Sequence, residues 1–132
     1  MQDQLPLADL AYLRELAARS AAVAQDCNCR ASDSSGWISL PLSLPETQLD
    51  DIATLIVDPY DEPTFTEYHP DGTRYASPEA PIAPRWYPYN RCNIARCTRC
   101  GRHYLRYMEA GGYFVDRRIR ALDAPQRVVE AP

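Results

Sequence analysis

Cys97-Thr98-Arg99-Cys100-Gly101-Arg102 is the stretch that decides how this chain of 132 residues is read. β-prone runs flank it, Trp86 to Arg96 before and His103 to Glu109 after. Two cysteines spaced this way at a hairpin tip present both thiolates to one ion, and the amides of the turn point at the sulfurs. Gly101 supplies the positive φ that lets the chain leave the turn without a clash. Further on, Gly111-Gly112 turns the chain and Tyr113 to Leu122 returns, so 86–122 reads as a three-stranded antiparallel meander.

Working outward, Pro6 to Gln25 is rich in Leu and Ala, and Leu10, Leu13, Ala17, Ala21 and Ala24 keep helical spacing. Pro6 suits a first turn and Asp9 the positive end of the helix dipole. The reading is an N-terminal helix ending before Cys27-Asn28-Cys29, where Asn28 favours a turn. Residues 30–42 are polar and irregular apart from Trp37. A second helix is predicted from Ser43, where Ser43-x-x-Glu46 forms a capping box with Pro45 in its first turn. Leu49, Ile52, Ala53 and Ile56 would be its buried stripe, and Asp58-Pro59 its stop. Seven prolines between Pro59 and Pro88 exclude a helix or a long central strand there. Pro70-Asp71-Gly72 between two β-prone runs predicts a hairpin over 64–76. Ala80 to Pro84 reads as an extended crossing held by Trp86, Tyr87 and Tyr89, and the chain beyond Ala124 as a frayed tail. The expected fold is one α+β domain: two helices on a small antiparallel sheet made of hairpin 64–76 and meander 86–122. Along it lie an N-terminal helix (1–26), a middle region (27–84), the meander (85–122) and the tail (123–132).

Five cysteines, an odd number, and no uninterrupted apolar stretch near the start argue against a secreted disulfide framework and for the cytoplasm. No apolar run reaches the ~18–20 residues of a membrane span. Clustered thiols in a reducing compartment point to a metal. The CxxCGR string resembles the knuckle of the zinc-ribbon and rubredoxin-like families, and small bacterial proteins that carry such a knuckle, over about 30 residues. No second CxxC follows it, which departs from the usual pattern. The resemblance implies a zinc ion. Two more ligands must come from Cys27, Cys29, Cys92, His103 and His69. Cys92 lies five residues up a strand from Cys97, roughly 17 Å at ~3.3 Å per residue, and on the other face, so it reads as a buried thiol. Cys27, Cys29, Cys97 and Cys100 together would make an all-thiolate structural Zn(2+) site joining the first helix to the meander. In the alternative set His103, or less well Cys92, replaces one of Cys27 and Cys29. A redox pair is the rival for CxxC, but that motif opens a helix after a strand, and here a β-prone run follows.

Catalytic signatures are lacking. H-x-E upstream of P-C-x-x-C, nucleophile elbows, phosphate loops and H-E-x-x-H are all absent from the sequence. His69 reads as a turn residue, His103 as exposed or as a neighbour of the metal ligands, and Asp50-Asp51 and Asp61-Glu62 as solvated charge. The chain is therefore expected not to be an enzyme. All fourteen basic residues are Arg, and their placement is uneven. Met1 to Pro84 holds four Arg against fourteen Asp plus Glu, whereas Arg85 to Arg120 holds nine Arg against Glu109 and Asp116. The two parts could attract each other within the fold, or present separate faces. One functional class is a protein-binding module, similar in size and charge to small immunity proteins that neutralise bacterial toxins. The alternative is nucleic-acid binding, with Arg99, Arg102, Arg106 and Arg118 foremost among the contacts, joined by Arg91, Arg96, Arg117 and Arg120, and with Tyr87, Tyr89, Tyr104 and Tyr107 to stack bases.

Overall fold

The computed structural model describes residues 5–111 and 114–131, apart from the side chains at 110, 111 and 114. Helix α1 spans Leu10–Ala21 and is capped by Asp9, whose carboxylate accepts the Tyr12 N–H at 2.8 Å. This satisfies one of the free amides at a helix start. The helix buries Leu13, Leu16, Ala17 and Ser20, so its inner stripe includes Ser20 and excludes the exposed Ala21 and Ala24.

Five strands form one antiparallel sheet: β1 (Ile38–Ser39), β2 (Leu49–Thr54), β3 (Asn93–Cys97), β4 (His103–Gly111) and β5 (Phe114–Ala121). Their order across the sheet is β1-β5-β4-β3-β2. The predicted meander supplies the three central strands. Its turn at Gly111-Gly112 lies partly outside the described residues.

The predicted second helix is not formed. One 3-10 turn over Glu46–Gln48 leads directly into β2. The reason lies in a β-bulge between Asp51 and Ala53. Leu49 pairs with Cys97 and faces one side of the sheet, but the extra residue moves Ala53, opposite Ile94, to the other side. An alternating strand whose face switches once leaves apolar residues at i, i+3 and i+4, which imitates a helical stripe.

The predicted hairpin 64–76 is likewise corrected. The turn is present, with Gly72 at φ +79° and its N–H donating to the His69 carbonyl at 3.2 Å. Its flanks form no ladder, because each packs on a different part of the chain, Phe65 and Tyr68 against Tyr87 and Trp86, and Tyr75 against Trp37 and Tyr107. Donation from Arg91 to the Pro63 and Thr64 carbonyls also pins the first flank.

Ala80, Ile82 and Ala83 are buried, as expected of the crossing segment. The chain after Ala124 is ordered rather than frayed. Ile82 N–H donates to the Arg127 carbonyl and Val129 N–H returns to Ile82, while Arg14 donates to the Val128 carbonyl. Burial of Val128 explains why this segment docks.

The sheet therefore has two buried sides. Against α1 lies the larger cluster, with Leu13, Leu16, Ile94, Leu105, Leu122 and Trp37. On the other side a smaller cluster holds Leu44, Leu49, Ala95, Tyr104 and Ile119, together with Cys29 and Cys97. Among the described residues no helix is long and apolar enough to cross a membrane.

Candidate metal centre

Two local turns build the site. Cys27 precedes, and Cys29 lies within, a single 3-10 turn over Asn28–Arg30, closed by Arg30 N–H on the Cys27 carbonyl. Such a turn lets side chains two apart converge, where a strand would hold them on one face but about 6.6 Å apart. Cys97 ends β3, and the chain reverses through Thr98–Cys100. Gly101 follows at φ +84°, with its N–H on the Cys97 carbonyl at 2.9 Å, and Cys97 N–H donates to the Arg102 carbonyl at 2.8 Å. A side chain at Gly101 would meet only ordinary contacts, so its left-handed backbone is what calls for glycine. No helix follows CxxC, which removes the geometric basis of the redox-pair rival.

All four predicted cysteines come together, with ligand atoms within 4.8 Å of one another. Cys27 Sγ lies 3.7 Å from Cys97 Sγ, and Cys29 Sγ lies 3.6 Å from Cys100 Sγ. Four sulfurs at about 2.3 Å from one tetrahedral ion stand about 3.8 Å apart, which these two separations match. These separations are far from the ~2.05 Å of a disulfide. The four cysteines can thus bind a metal ion, and soft thiolates select for a soft one.

Hydrogen-bond donors surround the sulfurs. Gln48, turned inward by its 3-10 turn, aims its amide nitrogen at Cys97 (3.4 Å) and Cys27 (3.7 Å), and exchanges hydrogen bonds with Asn28. Tyr104 O–H reaches Cys29 Sγ at 3.0 Å. Burial pushes the Cys97 thiol up, but the Gln48 amide and the backbone N–H groups of Cys100 and Arg99 outweigh it and bring it down to about 6. Burial raises Cys29 to about 12 against the pull of Tyr104, and raises Cys100 as well. Binding a cation requires the raised Cys29 and Cys100 thiols to give up their protons.

His103 does not join the four. Its ring is buried between sheet and helix with Nδ1 unpartnered, and its backbone N–H donates to Ser20 Oγ at 2.9 Å. Nor is it exposed, as one reading had it: the β4 register points it toward α1. Cys92 is a fully buried thiol donating to the Pro88 carbonyl at 3.2 Å, and burial holds its pKa well above the ordinary value. His69 bonds its own turn, with Nδ1 on Thr73 and Nε2 on Glu67.

Sequence reasoning missed Gln48 and Tyr104. A signal for Tyr104 exists: the turn sets Cys97 opposite Arg102, so two steps back Ala95 faces Tyr104 on the side of the sulfurs. Gln48 had none, because its position follows from β2.

The four foremost arginines are placed differently from one another. Arg99 is exposed and bonds Asn28, whereas Arg102 is 6% exposed. Arg106 pairs with Asp51 at 2.9 Å, and Arg118 pairs with Asp116 at 2.8 Å and Glu109 at 3.5 Å. Arg117 pairs with Glu46. Arg106–Asp51 and Arg117–Glu46 join the basic part of the chain to the acidic part. No protein-family model matches the chain, and no curated protein or solved structure matches it significantly.

Proposed function

We propose that the four cysteines hold one structural zinc ion and that the protein acts by binding another protein rather than by catalysis. The observation that carries this is the set of four sulfurs, spaced for a tetrahedron and drawn from turns 70 positions apart. Four thiolates close the coordination sphere, leaving no position for water or substrate, which is the pattern of structural rather than catalytic zinc. Thiolates of this kind persist in a reducing compartment, in keeping with a cytoplasmic location.

For the partner, the support is the loop from Val57 to Asp71. Asp58, Asp61, Glu62, Glu67 and Asp71 are exposed there, beside Tyr60 (95% exposed) and Phe65 (62%). Exposed rings among carboxylates suit a basic protein surface, as an inhibitor of a nucleic-acid-degrading toxin would need. The nucleic-acid alternative has less support, since Arg102 is buried and Arg106, Arg117 and Arg118 already face carboxylates.

Native mass spectrometry with thiol alkylation tests the metal: one zinc per chain, removed by a chelator, with alkylation of Cys27, Cys29, Cys97 and Cys100 slowed while it is bound. No metal and five reactive cysteines would overturn it. Titration of a labelled oligonucleotide at low salt tests the alternative. Tight binding that weakens steeply with salt and is lost on Arg99→Glu would put nucleic acid in place of the protein partner.

A further inference from the structure

Of the sulfur pairs, two are in hydrogen-bond contact: Cys27–Cys97 at 3.7 Å and Cys29–Cys100 at 3.6 Å. Neither lies within one turn; they run from turn to turn, 70 and 71 positions apart in the chain. The Gln48 amide nitrogen reaches Cys97 at 3.4 Å and Cys27 at 3.7 Å, so one side chain spans the first of these pairs. Its aim is fixed, because Gln48 and Asn28 exchange two hydrogen bonds, at 3.0 and 2.8 Å. The Gln48 carbonyl also accepts the Thr98 N–H at 2.8 Å. Asn28 belongs to the first turn and Thr98 to the second, so Gln48 ties the turns together through protein atoms alone. In the second pair, Tyr104 O–H holds Cys29 by its Sγ at 3.0 Å and by its carbonyl at 3.2 Å. Each pair joins a half-buried sulfur, Cys27 or Cys100, to a buried one, Cys97 or Cys29. An oxidant from solvent meets the first, and the second is beside it to resolve the product.

We propose that the cluster is a peroxide-sensitive centre that oxidises across its turns, to Cys27–Cys97 and Cys29–Cys100 disulfides, so that covalent bonds replace the ion as the join between them. Zinc release by this route rests on the metal reading given above; the pairing of the thiols does not. The Cys27 sulfur attacks one oxygen of hydrogen peroxide, and the O–O bond breaks. A sulfenic acid forms, and hydroxide leaves with the electron pair and takes a proton to become water. The Cys97 sulfur then attacks the Cys27 sulfur, moving about 1.6 Å closer to reach the ~2.05 Å of a disulfide, and a second water leaves. Cys100 and Cys29 repeat both steps. Starting from the zinc thiolates, four thiolates are oxidised to two disulfides, two peroxides and four protons become four waters, and one zinc ion is set free.

The test exposes the full chain, both zinc-loaded and chelator-stripped, to hydrogen peroxide, blocks the remaining thiols and reads the links by mass spectrometry of a non-reduced tryptic digest. Cleavage after Arg96, Arg99 and Arg102 puts Cys97 and Cys100 on separate peptides, while Cys27 and Cys29 stay together on residues 20–30. The expected result is 20–30 joined to both 97–99 and 100–102, with fragmentation between Cys27 and Cys29 assigning Cys97 to the former and Cys100 to the latter. A Cys97–Cys100 link, the opposite cross pairing, or sulfinic acids without links overturns the proposal. The loaded chain should free one zinc for every two disulfides, and zinc freed with the cysteines unlinked overturns it as well. Paired variants give a second measure. Cys29→Ser with Cys100→Ser leaves Cys27 its close partner Cys97, whereas Cys29→Ser with Cys97→Ser leaves it only Cys100. The first should link about tenfold faster under peroxide, and equal rates overturn the proposal. A chain that takes up no zinc defeats the metal reading alone, because the stripped chain still decides the pairing.

Discussion

The two sides of the sheet are held by different means. Against α1, Trp37 stacks on Tyr75 (centroids 6.0 Å), meets Tyr107 edge-on (5.0 Å) and tilts against Tyr89 (5.7 Å). Behind this group Arg120, 2% exposed, donates to the Ser35, Pro78 and Ala80 carbonyls and to the Tyr89 hydroxyl, with no carboxylate among its partners. The opposite side has Leu44, Leu49, Ala95, Ile119 and Tyr104 as its buried apolar side chains beside the thiols. So small a cluster stabilises little by burial. One side is therefore built on covered rings, and the other on four thiols able to hold an ion. The comparison teaches that the two clusters of one sheet can differ in kind, one packed from rings and the other gathered around thiols.

Removing the ion should separate the sides most clearly. Chelation, or Cys97→Ser, is expected to cost more than about 5 kcal/mol on the sulfur side, given what structural zinc contributes in small domains. Hydrogen exchange should show protection lost at residues 27–31 and 97–103 before it is lost in β4 and α1. Uniform loss would mean that the two sides are one cooperative unit.

On the ring side, Arg120→Met should cost about 3 kcal/mol, since it strands three carbonyls that a single guanidinium now satisfies. Chemical denaturation would measure it, and the zinc content should not change.

These two regions were also unequally legible. CxxCGR announces its own turn, and Cys27-x-Cys29 at a helix end offers a partner, so the four thiols were legible as a set, with His103 or Cys92 left open as a replacement for one of Cys27 and Cys29. The meander followed, because β3 and β4 are set by the same turn. The ring side was hidden. Trp37, Tyr75, Tyr89 and Tyr107 come from four distant places in the chain, and no local pattern links them. β2 misled for a geometric reason, since the bulge at Ile52 replaces strict alternation with a spacing proper to helices. The segment after Ala124 misled because a short polar-looking stretch docks through Val128 and Ala131 and two backbone hydrogen bonds to Ile82.

A smaller effect tests the boundary between the sides. Cys92→Ala should leave zinc stoichiometry intact and cost about 1 kcal/mol, as befits a buried thiol filling space. Loss of zinc in this variant would place Cys92 in the sulfur site and undo the division.

Last comes a pH effect. Burial, followed by the positive charges of Arg96 and Arg19, lowers the His103 pKa from 6.5, against the pull of the Leu16 carbonyl. The unfolded chain then binds the extra proton first, so this residue's share of stability is full above about pH 6.5 and falls as pH drops from there through the depressed folded value. His103→Gln should flatten that part of the stability–pH curve relative to the wild type, measured by denaturant midpoints at matched zinc content. Parallel curves would show that His103 titrates alike in the folded and unfolded chain.

The strand order carries a consequence for how the chain comes to be folded. The edge strands β1 and β2 are made first, and the central β3, β4 and β5 later, so the early part of the chain has no sheet to join while it is being synthesised. Cys27 and Cys29 emerge 70 positions before their counterparts. At ~5–20 residues per second that is an interval of several seconds. Throughout it they are two thiols without their counterparts on a nascent polypeptide. Any ion captured in that interval is held at half its final coordination, so the emergence of Cys97 and Cys100 both completes the knuckle and commits the ion.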